Sequence, residues 1–141
     1  MNNKITCTRY HDLSVGHRVC GQGGKCENLH GHNYRIHLTV EAEQLDTVGR
    51  VMDFSVIKDK FVIWLEQQWD HKFLVWENDP FTDTLKNLNP EGVVVVPFNP
   101  TAENLGQHLV NVIGPQQLAG TNVKLIKVDI EETRKCSVTV E

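Results

Sequence analysis

His30-Gly31-His32-Asn33-Tyr34-Arg35-Ile36-His37-Leu38-Thr39-Val40-Glu41-Ala42 is the stretch from which the rest of the chain can be read. Tyr34, Ile36, Leu38, Val40 and Ala42 alternate with Asn33, Arg35, His37, Thr39 and Glu41, a period of two over ten residues. Such alternation predicts a strand with one face in a core and the other polar. Carried backward, the same register puts His30 and His32 on the apolar face with Tyr34 and Ile36, and Gly31 leaves nothing between them. His37 falls on the polar face.

Two imidazoles on one face form a chelating pair, and neutral imidazole suits zinc. A catalytic zinc site takes three protein ligands and keeps one position open, so a third ligand is needed. His17, in Ser14-Val15-Gly16-His17-Arg18, ends a strand-like stretch and is joined to the pair by a Gly-containing loop. Cys26 stands four residues before His30 in Lys25-Cys26-Glu27-Asn28-Leu29-His30. It either completes a closed structural site or remains a free thiol beside an open one, and spacing alone leaves both readings standing.

Outward from this centre, residues 4–10 predict a strand, and Gly21-Gln22-Gly23-Gly24 predicts a loop. Asp53 can cap a helix with Phe54, Ile57, Phe61, Trp64 and Leu65 on its apolar face, ending near Gln67. Trp69-Asp70-His71 is expected in a loop, followed by a polar, Pro-containing stretch to Gly92 and a short apolar run of four valines at 93–96. Thr101 can cap a second helix carrying Leu105, Leu109, Val112 and Ile113, closed by Pro115. Two strands, 123–132 and 136–140, complete an order of strand, strand, helix, helix, strand, strand.

Three side chains off the histidine pair carry chemistry. Glu132 ends a face shared by Ile126, Val128 and Ile130, where a carboxylate needs a cationic or donor-rich partner. Arg134 could supply it as a salt bridge, or a ligand's guanidine-like edge could supply paired N–H donors. Asp70-His71 is an acid–imidazole pair of the kind that assists a thiol, which titrates near ~8.5 and accepts a proton only as thiolate.

Composition narrows the partners. The 141 residues suit a single domain, and 14 basic against 18 acidic residues give a net charge of −4 without a basic stripe, which argues against a nucleic-acid surface. No segment approaches the ~20 apolar residues of a membrane span, and the N-terminus lacks a signal-peptide layout. A cytoplasmic protein with four reduced cysteines and small-molecule partners is expected.

With His17, Cys26, His30-Gly31-His32, Asp70-His71, Pro100-Thr101-x-Glu103-Asn104 and Glu132-Thr133 in this order, the chain resembles the superfamily of 6-pyruvoyl-tetrahydropterin and 6-carboxytetrahydropterin synthases over nearly its whole length. The resemblance implies an α+β tunnelling fold (T-fold), an antiparallel sheet of order ββααββ with two helices on one face. Trimers of such subunits close into a barrel and stack in pairs, so a homohexamer is implied. It also implies Zn2+ on His17, His30 and His32, Cys26 as base, and Asp70 and His71 of a neighbouring subunit as its proton relay. Glu132 would anchor the 2-amino and N3 edge of a pterin triphosphate substrate, with Thr101 and Glu103 near the pterin pocket or the helix cap.

The Cys-x-x-x-His-Gly-His spacing is similar to the carboxytetrahydropterin branch, which makes 6-carboxy-5,6,7,8-tetrahydropterin for queuosine and 7-deazaguanine biosynthesis. A pyruvoyl-forming synthase with the same site and a non-catalytic, zinc-stabilised pterin-binding module are the alternatives. Glu27 beside Cys26 keeps open a branch that uses glutamate, and Lys25, Arg18 and Arg134 are candidates for holding the triphosphate. The chain departs from the family pattern at Leu13, Val15 and Gly16, in a longer 74–99 segment, and in lacking a Tyr-x-Gly-Glu ending.

Overall fold

Six strands of residues 3–141, which the computed structural model describes, share one sheet. They are β1 (Thr6–His17), β2 (His30–Ala42), β3 (Lys72–Trp76), β4 (Val93–Val96), β5 (Val123–Glu131) and β6 (Ser137–Val140), in the spatial order β4-β3-β1-β2-β5-β6. The alternation of β2 does what its pattern predicts: Tyr34, Ile36, Leu38 and Val40 are buried, and Arg35 and Asn33 are exposed. Two helices, 54–68 and 102–117, cover that face. Ile57, Phe61 and Leu65 from one and Leu105, Leu109 and Ile113 from the other enter a single core with Val128 and Ile130 of β5. Phe54 and Val112, expected on those apolar faces, are exposed; Val112 lies inside a π turn.

Both predicted caps form. The Asp53 carboxylate accepts from Ser55 N at 2.9 Å, and Thr101 Oγ1 accepts from Asn104 N at 3.1 Å. Thr101→Ala should therefore lower unfolding stability by about 1 kcal/mol, read from denaturant midpoints; no change would mean that the cap is dispensable.

The α+β class stands, with differences in detail. The polar, Pro-containing stretch to Gly92 contains β3 and a helix at Thr82–Leu88, and the sheet is mixed: β3 runs parallel to β1 and β4 parallel to β3. Phe73-Leu74-Val75-Trp76 shows no alternation because Leu74 and Val75 are both fully buried, as in parallel strands covered on both faces. The first strand begins at Thr6 and continues to His17. Pro115 does not close the second helix, which continues to Gln117. Gly114 N bonds back to Leu109 O at the end of a π turn, so Pro115 and its missing N–H sit where the ladder returns to α geometry. A bulge sets Val40 against Leu125 and Thr39 against Lys127; it skips Ile126, and Leu125 takes the buried position expected of Ile126.

Candidate metal centre

The antiparallel pairing of β1 and β2 sets His17 opposite His30 and Val15 opposite His32, which brings three imidazoles onto the inner face at one end of the sheet. Ring centroids lie 4.5 Å (His17–His30), 5.1 Å (His17–His32) and 5.0 Å (His30–His32) apart. One nitrogen from each ring falls within 4.8 Å of the other two. The backbone fixes two of the rings: Nδ1 of His17 donates to Pro100 O and Nδ1 of His30 to Asn28 O, each at 2.7 Å. A carbonyl can only accept, so both rings carry their proton on Nδ1 and present Nε2 as a lone pair. Tyr34 Oη lies 3.3 Å from His17 Nδ1.

The three Nε2 atoms are buried and lack any hydrogen-bond partner. Leaving one such acceptor unsatisfied costs about 1–3 kcal/mol, and three that converge fit a cation ligated by imidazole. Glu132 Oε1 comes within 3.1 Å of His32 Nε2, close enough for an ion pair but out of line for a hydrogen bond, so that nitrogen still counts as unsatisfied.

Burial disfavours the charged form of two of these rings. It lowers the His17 pKa to about 4 from 6.5, against the opposing pull of the Pro100 carbonyl, with the neighbouring imidazoles adding to the drop; burial likewise lowers His32. Burial, and then the Glu132 charge, push the Tyr34 phenol upward. Because His17 binds its proton more weakly folded than unfolded, the metal-free protein should lose stability as the pH falls from 6.5 towards about 4, on the order of 3 kcal/mol. Unfolding midpoints across that window measure it, and a flat profile would contradict a buried neutral His17.

The remaining residues singled out from the sequence divide into two groups. Glu132 borders the triad, and no salt bridge to Arg134 forms among the described residues. Cys26 sits in a short 3-10 turn, Lys25–Glu27, half-buried with a free thiol, and it is not part of the mutually close ligand set. Thr101 is engaged as the helix cap directly after Pro100, whose carbonyl holds His17. Of the three triphosphate candidates, Arg18 is buried against Asp79.

Asp70 and His71 are held by β1 and make no hydrogen bond to the triad among the described residues. Asp70 Oδ1 accepts from Ser14 N at 2.9 Å and lies 3.0 Å from His71 Nδ1. His71 adopts a left-handed φ of 59°, secured by its N–H bond to Ser14 O at 2.7 Å. Its side chain is 80% exposed and opens on a cavity of about 460 Å3 that Ser14, Asn33, Phe73 and His32 of the triad also line.

Sequence reasoning missed the Pro100 and Asn28 carbonyls. A carbonyl has no residue signature, although Pro100 stands next to the predicted cap.

A family description, 6-pyruvoyl tetrahydropterin synthase, matches residues 6–141. A Rickettsia felis protein named 6-carboxy-5,6,7,8-tetrahydropterin synthase is 34% identical over 137 residues, covering 96% of this chain and 99% of that protein. A protein of the same name from Aquifex aeolicus is 34% identical over 116 residues, 77% of this chain and 71% of its own length. Among solved structures, an uncharacterized protein from Wolinella succinogenes superposes with a TM-score of 0.85 at 23% identity, covering 99% of this chain and 98% of that one. Caenorhabditis elegans 6-pyruvoyl tetrahydropterin synthase gives 0.71 at 24% identity, covering 99% and 96%. At these identities the structures speak to the fold, which is the α+β T-fold.

Proposed function

Since the chain belongs to the 6-pyruvoyl tetrahydropterin synthase family, we propose that it is a zinc-dependent 6-carboxy-5,6,7,8-tetrahydropterin synthase. It takes 7,8-dihydroneopterin triphosphate and water to 6-carboxy-5,6,7,8-tetrahydropterin, acetaldehyde and triphosphate, a step towards queuosine and other 7-deazaguanines. The branch is supported by the relatives of that name that match nearly end to end and by the Cys26-x-x-x-His30 spacing. The observation that carries the reading is the convergence of three unpartnered Nε2 atoms with the thiol left outside, an arrangement suited to an open catalytic position rather than a closed structural site.

His17, His30 and His32 would hold the ion, oriented by Pro100 and Asn28. A zinc ion bound there supplies a Lewis acid for the oxygens of the substrate side chain, which makes neighbouring C–H bonds more acidic. Cys26 takes the proton from that side chain as thiolate. Glu132 accepts the 2-amino and N3 hydrogens of the pterin, a paired geometry that a carboxylate matches. The His71 ring, exposed and paired with Asp70, would serve the thiol of a neighbouring subunit in a cytoplasmic hexamer of single-domain catalytic subunits.

Stripping the metal with a chelator should abolish triphosphate release from 7,8-dihydroneopterin triphosphate, and added zinc should restore it. Undiminished release by metal-free protein would exclude the metal-dependent reading.

A further inference from the structure

The segment after β1 connects the triad to Cys26 through one buried ion pair. Arg18 and Asp79 are 7% and 5% exposed, and Arg18 Nε donates to Asp79 Oδ2 at 2.9 Å. The same guanidinium lies 4.1 Å from the centre of the Phe81 ring, and its Nη1 donates to Glu27 O at 2.9 Å, one residue beyond Cys26, and lies 3.6 Å from the Glu27 carboxylate. Val19 N donates to Cys26 O at 2.9 Å. Two of the three carbonyls of the thiol's turn, those of Cys26 and Glu27, are thus gripped by the two residues that follow His17. Asp79 is itself fixed, since its Oδ1 accepts from Phe81 N at 2.9 Å.

Elsewhere the loop is held by Asn99, which bonds both the N–H and the carbonyl of Cys20, and by exposed local bonds from Gly23 N to Glu27 Oε1 and from Gly24 N to Gln22 Oε1. Residues 21–25 are exposed, and Gly21 and Gly23 have left-handed φ of 86° and 81°. A buried ion pair adds little net stability over apolar packing of the same volume. What it does supply is geometry, because a planar fork can bind a carboxylate and a carbonyl at once, whereas a lysine ammonium is a single point.

We propose that Arg18, held by Asp79, is the positioning residue that fixes the Cys26 thiol relative to the histidine triad. The proposal rests on the reading of Cys26 as the base. It assigns Arg18 to the thiol's turn and removes it from contact with the triphosphate.

Arg18→Met, tested as the zinc-loaded protein, decides it with three readouts. Metal content and KM should stay at wild-type values, and kcat should fall about a hundred-fold, the scale of a misplaced reacting group. Alkylation by iodoacetamide, followed by peptide mass, should change at Cys26 by about ten-fold or more, on the scale of a lost fixed geometry, with Cys7 and Cys136 unchanged as internal references. Should this variant fail to fold, Arg18→Lys, which keeps a charge for Asp79 but has no fork to reach Glu27 O, is read in the same way. Wild-type kcat and Cys26 reactivity in a folded, metal-replete variant would overturn the proposal, as would a rise in KM with kcat preserved, which would return Arg18 to substrate binding. The alkylation ratio needs no substrate, so it stays decisive even if the proposed reaction is not the one catalysed.

Discussion

Cys26→Ala is expected to lower kcat for 7,8-dihydroneopterin triphosphate by about three orders of magnitude, within the range of a lost general base, while metal content is undiminished. The two halves of this result test different things. The thiol lies outside the set of mutually close ligand atoms, so its removal leaves three imidazoles to hold the ion. Its turn is gripped at Cys26 O by Val19 and at Glu27 O by Arg18 and not through the thiol, so the turn should survive the substitution. Kinetics together with metal analysis measure the effect. Loss of metal would make Cys26 a ligand and the site a closed structural one, and unchanged turnover would move the base elsewhere.

Removal of a histidine should have the complementary signature. His30→Ala is expected to weaken zinc binding by about a hundred- to a thousand-fold, because a site worth roughly 10–16 kcal/mol divided among its ligands loses about 3 kcal/mol with one of them. Turnover at limiting zinc falls with it. The fold should persist, since His30 is half-buried at the end of β2, whereas the core lies along Tyr34, Ile36, Leu38 and Val40. Calorimetric titration of the metal-free variant measures the affinity, and wild-type affinity would remove His30 from the metal centre.

Much of this centre was legible in the sequence because its information is local. The two-residue spacing of His30 and His32 and the alternation from Tyr34 onward fix one face of β2, and antiparallel pairing then brings His17 into place. What was illegible depends on distant or continuous features. β3 was hidden because a strand buried on both faces has no alternation to detect. The exchange of Leu125 for Ile126 follows from a bulge, a shift of register that composition does not announce. Arg18 and Asp79 are 61 residues apart and meet only because β3 folds back beside β1. Asp70-His71 could be recognised as a pair, but its attachment to Ser14 could not, because β3 comes to lie beside β1 only in the folded chain.

The most direct measurement gives the zinc-replete protein freshly made 7,8-dihydroneopterin triphosphate and identifies the products by mass. The account predicts 6-carboxy-5,6,7,8-tetrahydropterin with acetaldehyde and triphosphate; a pyruvoyl product that keeps the side chain, or substrate recovered unchanged, would contradict it.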